Sequence, residues 1–176
     1  IELIGEAWSE SIYRLRIRDP SDPSRWQVPD QIIPQSSSTY SGKSTLSLVW
    51  TSSPFSFSII RVSDGTAIFN TTALPSSQPE VNPVVFEDQY LSVSTSFVSE
   101  SPILYGFGER EGPLKVRLPT NTDQGEEATG TTDITLWTAD PWSDGVLPDV
   151  NLYGAQPMFL EMRESLAHGV FWASSN

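Results

Sequence analysis

Apolar and polar residues alternate with a period of two along most of this chain. In the first such run Tyr13, Leu15 and Ile17 alternate with three arginines, so the apolar and the charged groups face opposite ways. Later runs repeat this alternation, at 46–50, 55–59, 91–93, 134–136, 158–162 and 170–172. No stretch shows a 3.6-residue period over three turns. We therefore predict eight or more short strands, each with one buried face.

Breaks rich in proline, glycine, serine and aspartate separate these runs, and the chain holds 14 prolines and 11 glycines. Many short strands with turns between them are typical of an antiparallel β-sandwich. A length of 176 residues fits one domain, so we predict an all-β fold with a single sandwich over residues 1–176. Residues 34–44 and 119–132 are predicted to be loops, because both are polar and neither alternates.

The charge and the composition of the chain exclude several classes of partner and site. Residues 1–63 carry six acidic and six basic residues, whereas residues 64–176 carry sixteen acidic and four basic ones. A surface with that excess of carboxylates repels phosphate backbones, so we expect no nucleic-acid partner. No apolar run approaches the length of a membrane span, and cysteine is absent. With a single histidine as well, we expect no metal site and no cofactor.

Three features could carry chemistry when they are judged from the residues alone. Residues 104–110 (LYGFGER) place two glycines around an aromatic, which indicates a bulge or a close backbone approach; a structural Glu109 is favoured over a catalytic one. His168 is likewise more typical of a structural histidine than of a base. A third feature is an aromatic and acidic segment with Trp137 and Asp140, followed by Trp142, Asp144 and Asp149. Sugar sites use this mixture, although a core tryptophan with a solvated acidic rim explains it too.

Several motifs in one order resemble glycoside hydrolase family 31, the family of α-glucosidases and α-xylosidases. The matching stretches cover nearly the whole chain: LRIRD at 15–19, RWQVP at 25–29, PFSF at 54–57, FNT at 69–71, FEDQYL at 86–91, YGFGE at 105–109, RLP at 117–119, LWTAD at 136–140, NLYGAQP at 151–157, FLE at 159–161, and HGVF at 168–171 followed by Ser175 and Asn176. At 138–139 this chain has Thr-Ala where many members of the family have Asn-Arg or Ala-Arg.

The resemblance implies a galactose-mutarotase-like β-sandwich in front of a catalytic (β/α)8 barrel. Two barrel aspartates then act as nucleophile and acid/base with retention of configuration, so no catalytic residue is expected in this chain. The front domain is expected to lend one loop to the mouth of the pocket, where Asp140 contacts substrate hydroxyls. Because Ile1 lies near a strand start and the family continues beyond Asn176, we expect a cleaved enzyme whose barrel is a separate, non-covalently bound chain.

The leading hypothesis is a fragment of an exo-acting α-glucosidase that releases glucose from the non-reducing ends of maltose-like oligosaccharides. The alternatives are an α-xylosidase or α-1,4-glucan lyase of the same family, a carbohydrate-binding sandwich without enzymatic activity, and a domain that only buttresses a barrel. Asn70 opens an Asn-Thr-Thr glycosylation sequon. It predicts a glycoprotein on the secretory route, extracellular or, alternatively, vacuolar or lysosomal.

Overall fold

A computed structural model describes residues 1–34, 40–72, 82–99, 101–116, 134–140, 150–164 and 166–174, and the structural statements below concern these residues. They form ten strands and no helix, and all the strand pairs are antiparallel. The predicted all-β, antiparallel fold is confirmed. Nothing in these ranges is a helix long and apolar enough to cross a membrane. The chain divides into two compact units, Ile1–Val98 and Ser99–Asn176.

The first unit contains seven strands in three small sheets. The strands are β1 Glu2–Ala7, β2 Tyr13–Arg18, β3 Leu46–Ser52, β4 Phe55–Arg61, β5 Ala67–Asn70, β6 Val84–Glu87 and β7 Tyr90–Val93. β1 and β2 form a two-stranded sheet, a three-stranded sheet has the order β3-β4-β5, and β6 and β7 form a hairpin.

The core of the first unit lies on β4, the middle strand of its sheet. Phe57 and Ile59 are buried on one face of β4, and Phe57 stacks on Phe69 of β5 with 5.8 Å between ring centroids. The opposite face carries two buried serines, and Ser58 donates a hydrogen bond to Asn70 Oδ1 at 2.7 Å. A strand that is covered on both faces needs partners for its buried hydroxyls, and the neighbouring strand supplies one.

The described part of the second unit contains three strands, β8 Ile103–Gly106, β9 Met158–Arg163 and β10 Leu166–Phe171. They form one sheet with the order β10-β9-β8. Leu104 on β8 and Val116, whose amide donates to the Leu104 carbonyl, are the buried hydrophobic side chains among the described residues of this unit. The register places His168 of β10 directly opposite Glu161 of β9.

Two predictions about individual runs are wrong. Residues 134–136 alternate like a strand, but among the described residues they pair with no other strand. The run at 158–162 is a strand, yet its apolar face is the more exposed one: Met158, Leu160 and Met162 are 40–44% exposed, while Glu161 between them is 1% exposed. The alternation of residue types therefore predicted the strand correctly and its buried face incorrectly.

Candidate functional site

β8 ends in a sharp turn in which three consecutive residues have left-handed backbone conformations. The φ angles are 125° at Gly106, 64° at Phe107 and 83° at Gly108. A Cβ on Gly108 would lie 2.5 Å from the carbonyl oxygen of Gly154, so both its φ and the space around it require glycine. Phe107 is the non-glycine residue of the turn, and its ring stacks on Phe159 with 5.6 Å between the ring centroids. This contact stabilises Phe107 in its left-handed conformation. The predicted close backbone approach is confirmed.

The turn brings Glu109 against residues 151–154. The Glu109 amide donates to the Gly154 carbonyl at 2.7 Å, and the Gly154 amide donates to Glu109 Oε2 at 3.2 Å. The Leu152 amide donates to the Glu109 carbonyl at 2.8 Å. Asn151 is 5% exposed, and its Nδ2 donates to the carbonyls of Glu109 and Gly154, each at 3.0 Å. These bonds fix the backbone of residues 151–154 and use one oxygen of the Glu109 carboxylate for structure.

Asp140 lies on a second segment that is bonded to the same backbone. The Ala139 amide donates to the Leu152 carbonyl at 2.9 Å, and the Tyr153 hydroxyl donates to Asp140 Oδ1 at 2.6 Å. Asp140 is exposed, and the structure gives its Oδ2 no hydrogen-bond partner among the described residues. An exposed carboxylate whose orientation is set through one oxygen can accept hydrogen bonds from a ligand through the other.

The hydrogen bond from Tyr153 also has an electrostatic consequence. It raises the pKa of the Tyr153 phenol above its ordinary value of 10.0, because the bond and the negative charge of Asp140 both favour the protonated phenol. The Tyr153 hydroxyl therefore remains a donor over the whole physiological pH range. Sequence reasoning assigned no role to Tyr153, and the signal available for it was its position as the aromatic residue of the NLYG stretch.

Trp137 stands three residues before Asp140 and is 77% exposed. The interpretation of Trp137 as a core residue is therefore wrong. An exposed indole and an oriented carboxylate on the same short segment offer the two surfaces that a sugar uses: an apolar face for its C–H side and acceptors for its hydroxyls. The predicted companions Trp142, Asp144 and Asp149, and the loop at 119–132, lie outside the described residues.

Sequence reasoning missed a buried charge cluster on the β9–β10 hairpin. Arg163 donates from Nε to Glu161 Oε1 at 2.6 Å and from Nη2 to Glu161 Oε2 at 2.8 Å. His168 Nε2 lies 3.3 Å from the same Oε2, and the His168 side chain is 8% exposed. The carboxylate thus faces two basic side chains inside the fold. His168 sits in a packed structural position, in agreement with the interpretation favoured from the sequence.

Asn70 ends β5, and its side chain closes a local turn. Asn70 Oδ1 accepts from the Thr72 amide at 2.9 Å, from the Thr72 hydroxyl at 2.5 Å and from Ser58. Thr71, between them, is 1% exposed and bonds through its hydroxyl to the Phe57 backbone. In the described ranges no group of three histidine, cysteine or acidic side chains could hold a metal ion.

Residues 6–176 match the family described as the glycosyl hydrolase 31 N-terminal galactose mutarotase-like domain. The match supports the predicted mutarotase-like β-sandwich, and it covers far more than half of the chain.

Similar proteins are known in fungi and plants. A probable alpha/beta-glucosidase of Arthroderma benhamiae is 32% identical over 100% of this chain and 20% of its own length. An alpha-glucosidase of Hordeum vulgare is 34% identical over 96% of this chain and 19% of its own. Alpha-xylosidase 1 of Arabidopsis thaliana is 29% identical over 96% of this chain and 18% of its own. The chain therefore spans about a fifth of the length of these relatives.

Proposed function

The chain belongs to the family of glycosyl hydrolase 31 N-terminal galactose mutarotase-like domains, and on that premise we propose that it is the front domain of a retaining exo-α-glucosidase. The Arthroderma relative is a probable alpha/beta-glucosidase and the Hordeum relative an alpha-glucosidase, which supports this activity. The enzyme releases glucose from the non-reducing ends of α-linked oligosaccharides such as maltose. The catalytic aspartates lie on the barrel, and the role of this domain is to shape the mouth of the active site.

One observation carries the role at the mouth: the exposed carboxylate of Asp140 is oriented by the Tyr153 hydroxyl on a backbone that Glu109 and Asn151 fix. A carboxylate held in this way accepts hydrogen bonds from sugar hydroxyls without first losing much side-chain freedom. Glu109 is proposed to be structural, since both of its backbone polar groups and one oxygen of its carboxylate bond to residues 151–154.

The test is Asp140→Ala in the complete enzyme, assayed on maltose. Loss of a charged hydrogen-bond acceptor costs about 1.5–3 kcal/mol, which corresponds to a ten- to hundred-fold fall in kcat/KM. The Tm should change little, because Asp140 is exposed. The matched control is Asp88→Ala, an exposed aspartate beside the β6–β7 turn, which should leave both quantities unchanged. If Asp140→Ala keeps the kcat/KM of the wild type, Asp140 does not contact substrate and the domain only supports the barrel.

α-Xylosidase activity is the second candidate, and the named Arabidopsis relative favours it. Glucose differs from xylose by one hydroxymethyl group, and a pocket distinguishes substrates of that similarity by only about 10–200-fold. Parallel measurement of kcat/KM on p-nitrophenyl α-glucoside and α-xyloside decides between them. A higher value on the glucoside supports the first proposal, and a higher value on the xyloside supports the second.

The partner of the domain is proposed to be the catalytic barrel of the same enzyme. In the relatives the matched segment is about a fifth of one longer chain. That the barrel is a separate, non-covalently bound chain stays a prediction. Native purification followed by a denaturing gel tests it: a separate large polypeptide that co-purifies with a 19.5 kDa band supports the prediction, and a single long polypeptide contradicts it.

Asn70 is proposed to carry an N-linked glycan, which would send the protein through the secretory route to the cell exterior or to a vacuole or lysosome. The turn at 70–72 supports this, because the Thr72 hydroxyl bonds directly to the Asn70 side chain that is to be modified. Enzymatic removal of N-glycans converts a modified asparagine to aspartate, so peptide mass spectrometry should find Asp at position 70. An unmodified Asn70 peptide in protein from the native source would refute the proposal, and Thr72→Ala is the control that removes the sequon.

A further inference from the structure

Tyr153 and Asp140 are thirteen residues apart in sequence, yet their side chains share a 2.6 Å hydrogen bond. The bond does not stand alone, since the Ala139 amide also donates to the Leu152 carbonyl at 2.9 Å. Two bonds, one between backbones and one between side chains, therefore join residues 139–140 to residues 152–153. The position of Asp140 is therefore fixed twice, by the backbone bond of the preceding residue Ala139 and by the hydrogen bond to its own Oδ1.

The backbone that carries Tyr153 is fixed on both sides of the residue. Before it, the Leu152 amide donates to the Glu109 carbonyl; after it, the Gly154 amide donates to Glu109 Oε2 and the Gly154 carbonyl accepts from the Glu109 amide. Asn151 is buried and donates two further bonds to this backbone. Because the main chain is held on both sides of Tyr153, the point from which its side chain extends toward Asp140 is fixed.

The Tyr153 ring contributes little to packing, since the residue is 65% exposed. Among the described residues its specific interaction is the hydrogen bond through its hydroxyl. Without that bond, the exposed Asp140 side chain would sample several rotamers, and a ligand would have to select one of them. A phenol that donates to one oxygen leaves the other oxygen pointing in a defined direction.

We propose that Tyr153 is a positioning residue, which orients the Asp140 carboxylate so that Oδ2 accepts a hydrogen bond from a hydroxyl of the bound sugar. The inference rests on the proposed function of Asp140 as a substrate contact. It adds that the affinity of this contact depends on a residue that does not touch the sugar, and that the NLYG stretch serves the active site through the tyrosine hydroxyl.

The test is a double-mutant cycle in the complete enzyme, with maltose as substrate and Tyr153→Phe, Asp140→Ala and the double variant as the three mutants. Tyr153→Phe removes one oxygen atom and should lower kcat/KM about five-fold, the effect of one ordinary hydrogen bond. The Tm should remain that of the wild type. In the Asp140→Ala background the same change should have no further effect, because nothing remains to be oriented. Tyr90→Phe, at another exposed tyrosine, on β7, is the control and should leave kcat/KM unchanged.

The outcomes separate this inference from the proposed function. If Asp140→Ala lowers kcat/KM while Tyr153→Phe does not, or if the two losses multiply in the double variant, Asp140 contacts the sugar and Tyr153 does not position it. If Asp140→Ala has no effect, both proposals are overturned. A role of Tyr153 in stability alone would lower the Tm equally with and without Asp140, which would also overturn the inference.

Discussion

Two carboxylates of the second unit, Glu161 and Asp140, have the same charge and opposite surroundings. Glu161 on β9 is 1% exposed; both of its oxygens accept from Arg163, and one of them also faces His168. Asp140, on a segment without strand pairing, is exposed and accepts one hydrogen bond from Tyr153. Both carboxylate oxygens of Glu161 are bonded within the fold, whereas Oδ2 of Asp140 can still accept a hydrogen bond from a ligand.

The comparison shows that the role of a carboxylate depends on which of its oxygens are already used. A buried carboxylate must be paired, because leaving a charge without partners away from water is costly. An exposed carboxylate has no such requirement, and one oriented by a single donor is available for binding. Glu161 is therefore expected to govern the stability of its hairpin, and Asp140 the binding of substrate.

The largest effect is expected for Glu161→Gln. Removing the charge leaves the largely buried Arg163 guanidinium facing a neutral amide, and breaking a buried ion pair from one side costs about 3–5 kcal/mol. The loss should appear in the free energy of opening the β9–β10 hairpin, measured by hydrogen exchange of its amides in the complete enzyme. The control is Glu164→Gln in the exposed turn of the same hairpin, where a change within about 0.5 kcal/mol is expected. Equal exchange in the two variants would mean that the buried cluster does not stabilise the hairpin.

Gly108→Ala should have the next largest effect, because it disturbs the backbone on which Asp140 depends. An alanine at φ 83° is strained by about 1–3 kcal/mol, and its Cβ would lie 2.5 Å from the Gly154 carbonyl oxygen. We expect faster exchange of the Glu109 and Leu152 amides, and a lower kcat/KM on maltose. Gly65→Ala has a similar φ of 71° with no atom within 4 Å of the added Cβ, so it isolates the backbone strain. If Gly108→Ala and Gly65→Ala have the same kcat/KM, the turn at Gly108 does not support the position of Asp140.

Asp64 is a third carboxylate, which is exposed like Asp140 but accepts its hydrogen bonds within the fold like Glu161, so a small effect on local stability is expected. The hydrogen bonds from the Thr66 backbone amide and hydroxyl and from Arg61 hold the pKa of Asp64 below its ordinary value of 3.8. Since the folded-state pKa is the lower one, the stabilisation is present above pH 3.8 and is lost as the pH falls through the folded value. Hydrogen exchange at Thr66, corrected for intrinsic rates, should accelerate only in that acidic window. Asp64→Asn should remove this pH dependence, and an unchanged profile in that variant would assign the acid response to another group.

Local alternation predicted much of the fold, because a strand with one covered face records its geometry in the sequence every second residue. It predicted β2, β3, β4 and β9 in this way. It predicted the wrong buried face for β9, since the buried position of Glu161 depends on Arg163 and on His168 across the hairpin. A period of two describes which residues share a face and contains no information about which face is covered.

The site was partly predictable for a similar reason. The glycines at 106 and 108 predicted a close backbone approach by themselves, because few other residues adopt such φ angles. Asp140 was a candidate through the aromatic and acidic segment that contains it, and its expected contact with substrate came from the family resemblance. Its bond to Tyr153 could not be predicted, because it joins two segments outside the ten strands, thirteen residues apart, and follows no period.

The most direct test of the account is a structure of the complete enzyme with a glucose-like iminosugar bound as a competitive inhibitor. We predict that Asp140 Oδ2 lies about 2.6–3.2 Å from a ring hydroxyl of the inhibitor, at hydrogen-bonding distance, while Oδ1 still accepts from Tyr153. We also predict that Glu161 remains bonded to Arg163 and does not approach the ligand. An inhibitor whose hydroxyls all lie more than about 4 Å from the Asp140 carboxylate, with no bridging water, would contradict it.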